Sequence, residues 1–352
     1  MRQRVFKAID LFCGAGGLSL GLSNAGFKVI AGIEINPTAA ETYRVNHPKS
    51  IVYEQDIRDI SVENLLRKHK LKPGDLDLLA GCPPCQGFST QGTRNRAAVK
   101  DDDRNNLIFE FLRVVALALP KTIMLENVPA LARDWRIEKL KKELDALGYI
   151  IDDEFIQIKD AADYGVPQRR KRLLIKASRY GSIPSPKKVQ DKVTVRAAIA
   201  HLLPAGESGD LLHDLGESRS KKVQEIISLV PKDGGSRHEI PRRYWLECHK
   251  RQEGSYRDVY GRMRWDDVAP TMTGGCHNPS KGRFIHPVED RAITLREAAL
   301  LQSFPSTYQF LLNKGKDHVA LMIGNALPPE FIRRHAQEYL QHLKEISNDA
   351  GT

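Results

Sequence analysis

Cysteine is scarce in this sequence. The 352 residues include an odd number of cysteines, which are Cys13, Cys82, Cys85, Cys248 and Cys276. Small secreted domains that depend on disulfides carry a denser and even set, so the sequence excludes that class. We therefore expect reduced thiols and a cytoplasmic protein.

Long hydrophobic runs are also absent. No stretch reaches the roughly 20 consecutive apolar residues that a membrane-spanning helix needs. The N-terminal MRQRVFKAIDLF lacks the successive charged, apolar and small-residue regions of a signal peptide. Hydrophobic residues still make up 41% of the chain, which is enough for a substantial core. We expect a soluble protein with no membrane partner, with one large domain or one large and one small domain.

Basic residues outnumber acidic ones. The chain has 54 Lys and Arg and 44 Asp and Glu, which gives a formal net charge of +10. Such a surplus fits a polyanionic partner, since neutralising phosphates releases counterions. An enzyme that is basic for other reasons remains the alternative. The surplus is concentrated, because residues 169–188 contain eight basic residues and no acidic one. This stretch predicts a basic stripe.

Short apolar, β-branched runs alternate with helix-like segments through the first half of the chain. Among these runs are FKAIDLF, KVIAGIE, LDLLA and TIMLEN. The alternation predicts an α/β fold with a doubly wound, mostly parallel sheet. Residues 186–290 lose the alternation and are rich in glycine, arginine, histidine and turn signals. We predict a catalytic and cofactor-binding domain at 1–185, a smaller loop-rich domain at 186–290 and a more helical segment at 291–352.

A glycine-rich turn follows the first predicted strand in DLFCGAGGLS. Three glycines there let the backbone approach a nucleotide-like ligand closely: Gly14, Gly16 and Gly17. Glu34 ends the second predicted strand, where a carboxylate can hold ribose hydroxyls, and Asp56, with Ile57 beside it, ends a possible third strand. The turn has Ser19 where the dinucleotide fingerprint has its third glycine. These features predict an adenosine-containing ligand, and the choice between NAD and S-adenosylmethionine stays open.

The fourth predicted strand leads into GCPPCQGFS, residues 81–89. Two prolines stiffen this loop, so it presents Cys85 in a fixed pose as a candidate nucleophile. Three alternatives compete: a zinc half-site with Cys82, a redox pair, or a buried structural cysteine. The chain has no second C-x-x-C. The double proline also fits the start of a redox-active helix poorly, whereas a buried structural cysteine stays open as the alternative to a nucleophile.

Two further polar groups are expected near Cys85. Glu126 ends the fifth predicted strand, and adjacent strand ends share one crevice, so it is a candidate general acid. A solvated carboxylate at a strand end is the alternative. QRRKR, residues 168–172, comes just before another strand. On a strand, Arg170 and Arg172 would face one side while Arg169 and Lys171 face the other, so one pair can reach the crevice.

The order of these motifs closely resembles that of the DNA (cytosine-5) methyltransferases, particularly the compact bacterial enzymes of restriction–modification type. DLFCGAGGLS, PPCQGFS, DDDRNNLIFEF, ENV and QRRKR match successive family motifs, as do TLREAALLQSFP and IGNALPPE near the C-terminus. The resemblance covers nearly the whole chain. It departs at Leu300-Leu301-Gln302 and Ala326-Leu327-Pro328, where the family often has Arg-Leu-Gln and Ala-Val-Pro. Neither departure touches the chemistry.

The resemblance implies a Rossmann-like methyltransferase that uses S-adenosylmethionine, yields S-adenosylhomocysteine and needs no metal. It implies that the Cys85 thiolate adds to carbon 6 of cytosine while Glu126 holds N3 and the exocyclic amine. Arg172, with Arg170, would contact O2. The implied cofactor-binding residues are Phe12, Gly14, Gly16, Gly17, Glu34, Asp56, Ile57, Leu107 and Asn325.

Double-stranded DNA is the partner that the resemblance implies. Residues 186–290 would form the target-recognition domain, and residues 291–352 would pack back onto the catalytic domain. The implied DNA contacts are Ser89, Gln91, Arg94, Arg169, Arg242, Arg243, Arg262 and Arg264. A cognate restriction endonuclease acting on the same site is a further expected partner. A monomer in the cytoplasm, associated with the nucleoid through DNA, is the default expectation.

Three functions other than DNA cytosine-5 methylation fit the sequence less well. One branch of the family methylates tRNA, but that branch has a reduced variable region, whereas this chain has a long one. A non-catalytic DNA-binding relative would not need Cys85, Glu126 and Arg172 together. A nicotinamide dehydrogenase would leave PPCQ, ENV and QRRKR unexplained.

Overall fold

A computed structural model describes residues 4–84, 103–251 and 257–349. Its sheet has seven strands, which are β1 (Lys7–Leu11), β2 (Lys28–Glu34), β3 (Ile51–Glu54), β4 (Leu78–Gly81), β5 (Thr122–Asn127), β6 (Ile156–Asp160) and β7 (Lys171–Ser178). They lie in the order β3-β2-β1-β4-β5-β7-β6. Strands β1 to β5 pair in parallel, and β7 runs antiparallel to both β5 and β6. The predicted α/β fold with a mostly parallel, doubly wound sheet is confirmed.

The middle of the sheet explains its sequence pattern. Strands β4 and β5 are buried along their whole length, so they lack the polar alternation of a half-exposed strand, and the middle of β5, residues 123–125, is entirely apolar. The strand order reverses between β1 and β4. Ligands of open α/β sheets bind in the crevice at such a point, outside the carboxyl ends of the strands. The fold therefore places the ends of β1, β2, β4 and β5 where the functional residues were predicted.

Helices connect and cover these strands. The helices of the sheet-containing part are Gly17–Ala25, Pro37–Asn46, Val62–Lys68, Leu107–Ala118, Trp135–Ala146 and Pro329–Asp349. The side chains of Asn36, Ser61 and Asp134 each accept a backbone hydrogen bond at a helix start. The last helix packs against the first, and a Cβ added at Gly21 would lie 2.5 Å from the Cβ of Ile332. Glycine is therefore needed at that contact.

The chain divides into two compact units. Unit 1 comprises residues 1–164, 171–188 and 327–352, and unit 2 comprises residues 165–170 and 189–326. Unit 2 contains short helices joined by loops and, among its described residues, only isolated β-bridges. Its helices are Val195–Ile199, Leu211–Asp214, Lys221–Leu229, Glu247–Arg251, Leu295–Leu301 and Lys316–Asn325. No helix in the described ranges is long and apolar enough to cross a membrane.

This division differs from the predicted domain boundaries at residues 291–326, which belong to unit 2. The helix Leu295–Leu301 packs there against Val195–Ile199 and Leu211–Asp214. Arg296 also pairs with Asp210 of the same unit. Helical periodicity in the sequence revealed an apolar face but not the unit against which that face packs, so the boundary could not be located from periodicity alone.

Candidate active site

The turn after β1 has a backbone that glycine makes possible. Gly14 and Gly16 have φ values of 53° and 98°, in the left-handed region, and Phe12 adopts φ 62°. The amide of Gly14 donates to Oε2 of Glu34 over 2.9 Å. Gly17 begins the following helix and is buried. The predicted glycine turn therefore lies directly beside the predicted acidic residue.

Glu34 is half-buried at the end of β2 and shapes this turn. Its Oε1 accepts the amide of Asn36 over 2.7 Å, while Oε2 accepts that of Gly14. Burial raises the pKa of Glu34, and the backbone hydrogen bonds act in the opposite direction. Each carboxylate oxygen has two lone pairs, so both oxygens retain acceptor capacity for a ligand.

The other predicted cofactor residues occupy different environments. Asp56 follows β3 and is held by Arg58, whose Nη2 lies 2.6 Å from Oδ2, so the pKa of Asp56 is lowered. Ile57 is buried in the main core of unit 1, and Leu107 packs partly buried against the same core. Asn325 is the exposed last residue of a helix in unit 2. Their contacts with a cofactor stay predictions.

Glu126 is the most enclosed of the predicted catalytic residues. It is the last but one residue of β5 and is 2% exposed. The Nε of Arg172 lies 2.8 Å from its Oε1. Because β7 is antiparallel to β5, the first residues of β7 lie next to the last residues of β5, which brings the two side chains together. The sequence-based prediction that Glu126 and Arg172 share one site agrees with this geometry.

Cys82 adds a contact that the sequence analysis did not foresee. Its thiol donates to Oε2 of Glu126 over 2.7 Å. From the sequence, Cys82 was expected only as a possible zinc or redox partner of Cys85. Strand order could have indicated the contact with Glu126, because Cys82 follows β4 and Glu126 lies near the end of the neighbouring β5. Among the described residues no group of three or more His, Cys, Asp or Glu side chains could hold a metal ion.

The sequence motif that contains the predicted nucleophile continues past Cys82. The described residues stop at Pro84 and resume at Asp103. Four predicted site residues lie outside the described residues: Cys85, Ser89, Gln91 and Arg94. Their roles stay predictions that rest on the sequence motif.

The predicted catalytic role of Arg170 requires correction. Arg170 is 3% exposed and belongs to unit 2. Its Nη1 donates to the carbonyl of Met272 and its Nη2 to the carbonyl of Gly324, each over 2.9 Å. The expected strand alternation placed Arg170 on the same side as Arg172, but β7 begins only at Lys171. Arg170 therefore holds backbone segments of unit 2 together, which is a structural role.

The predicted DNA-binding arginines fall into two groups. Arg169, Arg242, Arg243 and Arg264 are exposed, so their side chains are accessible to a large ligand. Arg243 lies over the ring of Tyr244, 4.8 Å from its centroid. Arg169 is 3.8 Å from the carboxylate of Asp267 and largely exposed. These four positions are compatible with DNA contact, which stays a prediction.

Arg262 is the exception, and the prediction that it contacts DNA is wrong. It has no accessible surface. Its guanidinium donates to four main-chain carbonyls and to the carboxylate of Asp290. Those carbonyls belong to Ile227, Val230, His286 and Glu289. In a loop-rich segment no periodicity distinguishes a buried arginine from an exposed one, so the sequence did not reveal this burial.

Comparisons with known proteins identify the family of this chain. Residues 6–341 match the family described as C-5 cytosine-specific DNA methylase. The Type II methylase M.HgiDII of Herpetosiphon aurantiacus is 37% identical to this chain, and the alignment covers 97% of this chain and 98% of the relative. The Type II methyltransferase M1.HphI of Haemophilus parahaemolyticus is 36% identical, with 95% and 86% covered.

A solved structure has a similar fold. It is a prophage-encoded E. coli protein described as a candidate DNA modification methyltransferase, 26% identical to this chain with a TM-score of 0.68. The match covers 97% of this chain and 99% of that one. Together with the family match over nearly the full length, it shows that this chain belongs to the C-5 cytosine-specific DNA methylases and is a DNA cytosine-5 methyltransferase.

Proposed function

We propose that this protein transfers a methyl group from S-adenosylmethionine to carbon 5 of a flipped-out cytosine within a short, specific sequence of double-stranded DNA. The reaction proceeds through a covalent bond between Cys85 and carbon 6. The observation that carries this proposal is the buried Glu126–Arg172 pair, beside the strand that leads into the nucleophile loop.

The residues around the first turn fit an adenosine ligand. A Cβ added at Gly14 would meet no atom within 4 Å, so that side of the turn is open. Glu34 supplies carboxylate oxygens of the kind that hold ribose hydroxyls. Ile57 and Leu107 supply apolar surface from one core. S-adenosylmethionine, when bound, supplies an electrophilic methyl group on a sulfonium.

Cytosine carbon 5 is a poor nucleophile, so the ring must first be activated. The Cys85 thiolate forms a bond to carbon 6, which makes the ring enamine-like and carbon 5 nucleophilic. Carbon 5 then accepts the methyl group and a base removes its proton. The electrons of that C–H bond re-form the double bond as the bond from Cys85 to carbon 6 breaks. This sequence returns the enzyme thiolate unchanged.

Glu126 and Arg172 orient the base in this scheme. The Glu126 carboxyl binds N3 and the exocyclic amine, where charge changes as carbon 6 is attacked. Arg172 contacts O2, and a nearby cation favours the thiolate form of a cysteine. Both side chains converge on one point, because the Arg172 Nε lies 2.8 Å from the Glu126 carboxylate.

DNA recognition is assigned to unit 2. A stacked cytosine is inaccessible, so the base must rotate out of the duplex at a cost of a few kcal/mol. Exposed Arg242, Arg243 and Arg264 are candidates for phosphate or guanine contacts. The relatives M.HgiDII and M1.HphI are named as Type II enzymes. We accordingly assign this protein to a restriction–modification system, acting as a monomer in the cytoplasm with an endonuclease of the same specificity.

Bisulfite sequencing tests the proposal directly. Plasmid DNA is taken from a methylation-free bacterial host that expresses either the wild-type chain or Cys85→Ser. The expected result is protection of cytosines in one short recurring sequence, lost in the variant. Protection that persists in Cys85→Ser would refute the covalent mechanism. No protection from a folded wild-type protein would refute the duplex-DNA substrate, and tRNA would then be assayed.

A further inference from the structure

Each oxygen of the Glu126 carboxylate has a different partner, an ion pair at one and a hydrogen bond at the other. Arg172 Nε lies 2.8 Å from Oε1, and the Cys82 thiol donates to Oε2 over 2.7 Å. We propose that Cys82 is a positioning residue, which holds the Glu126 carboxylate in the orientation that meets the cytosine. Cys82 acts through Glu126 and not on the substrate. The inference rests on the role proposed above for Glu126.

The backbone around Cys82 is fixed, as a positioning role requires. The Cys82 amide donates to the carbonyl of Leu11 over 3.2 Å, which ties it to the end of β1. The next carbonyl, that of Pro83, accepts the Asn127 side-chain amide over 3.0 Å. Asn127 directly follows Glu126 on β5. The thiol and the carboxylate therefore lie at the ends of two neighbouring strands, and the hydrogen bond between Asn127 and Pro83 joins those ends.

Burial gives this contact its importance. Glu126 is 2% exposed, so water contributes little to its solvation, and a buried carboxylate is stable only with hydrogen-bond donors. Arg172 forms an ion pair with one oxygen, and without Cys82 the thiol donor to the other is lost. The carboxylate would then be held less firmly and could adopt other rotamers. That change would reduce the fraction of enzyme that is ready to bind the flipped base.

A thiol also suits a contact that must be exchangeable. Sulfur is a weak hydrogen-bond donor, weaker than a hydroxyl or an amide. When the exocyclic amine of cytosine reaches Glu126, it can share or replace the thiol at Oε2. Cys82 thus holds the carboxylate in the empty site without blocking the substrate that the carboxylate must bind.

The test compares Cys82→Ala with Cys82→Ser in full-length protein. Serine restores a donor, whereas alanine does not. Each variant is assayed for kcat and for KM with duplex DNA. Cys248→Ala, which removes an exposed thiol in unit 2, is the matched control, and thermal melting checks folding. Glu126→Ala is measured in parallel.

We expect Cys82→Ala to lower kcat by roughly 10- to 100-fold, the effect of losing a hydrogen bond to a charged group, with KM for DNA within about twofold. Cys82→Ser should stay within about threefold of wild type, because the loss is of a donor and not of sulfur. Cys248→Ala should match wild type.

Two outcomes would overturn the inference. They are a fully active Cys82→Ala and a folded Cys82→Ser that is as impaired as Cys82→Ala. The parallel variant separates this failure from failure of the proposed function. An active Glu126→Ala would refute the role of Glu126 itself, whereas an inactive Glu126→Ala beside a normal Cys82→Ala would refute only the positioning role.

Discussion

Replacing Arg262 by methionine separates a structural arginine from a DNA-reading one. Methionine approximates the length of the arginine stem but has no donor, so the substitution removes the guanidinium without leaving a large cavity. Arg264 is the matched control, because it lies two residues further along the same segment and is exposed. The two variants remove the same charge from the same stretch of unit 2.

The expected loss follows from the contacts of the Arg262 guanidinium. It donates to four carbonyls at distances of 2.5 to 3.0 Å, and each buried acceptor left unsatisfied costs about 1–3 kcal/mol. Asp290 is 41% exposed, so water screens it and its share is small. Relaxation lets some carbonyls find other partners. We expect Arg262→Met to destabilise unit 2 by about 3–5 kcal/mol, the range for breaking a buried pair.

The assay uses tryptophan fluorescence during urea denaturation. Trp245 and Trp265 both lie in unit 2, and Trp245 belongs to the apolar cluster that includes Ile227 and Val230, whose carbonyls Arg262 binds. The midpoint should fall markedly in Arg262→Met and stay near wild type in Arg264→Met. DNA affinity, measured where both variants are folded, should fall only in Arg264→Met. An unchanged midpoint with lost DNA affinity in Arg262→Met would refute the buried placement of this residue.

Two further predictions concern unit 1. Gly21→Ala should destabilise it by about 1–3 kcal/mol, because the new Cβ would lie 2.5 Å from the Cβ of Ile332, whereas Gly216→Ala, which meets nothing within 4 Å, should be neutral in the same thermal melt. Equal melting temperatures would contradict the close contact of the first and last helices. Burial raises the pKa of Asp10 from 3.8 to about 7, so the folded protein retains a proton that the unfolded chain has lost. Stability should therefore fall as pH rises from about 4 to about 7, by about 4 kcal/mol in total, and Asp10→Asn should remove this slope. Denaturation midpoints across that pH range check it, and an equal slope in both proteins would contradict it.

Most of the sheet was predictable because burial imposes a pattern on the sequence. Strands β4 and β5 are enclosed on both faces, so only apolar residues fit there, and polar residues such as Glu126 stand out at their ends. The association of Glu126 with Arg172 followed from strand order and a short motif. These are local or topological signals, and they survive in a single sequence.

The failures have a common physical origin. Arg170, Arg262 and Arg264 look alike in the sequence, yet two of them bind main-chain carbonyls that come from distant segments. Which carbonyls need a donor is decided by packing, and a loop-rich region carries no periodicity that reports packing. The Cys82–Glu126 bond escaped notice for a related reason, because the neighbouring Cys85 suggested a pair within the motif and not a partner on the next strand.

The arrangement of unit 1 along the chain has a consequence for its synthesis. Its first helix, Gly17–Ala25, is covered by Pro329–Asp349, and the whole of residues 189–326 is translated between the two. On the ribosome, the sheet must wait for the last helix to emerge before its first helix is covered. Premature termination anywhere upstream would thus yield a chain that lacks this cover, so fragments should be degraded rather than accumulate as partly active enzyme. Residues 189–326 form an insertion in unit 1, because unit 1 precedes them and resumes at residue 327.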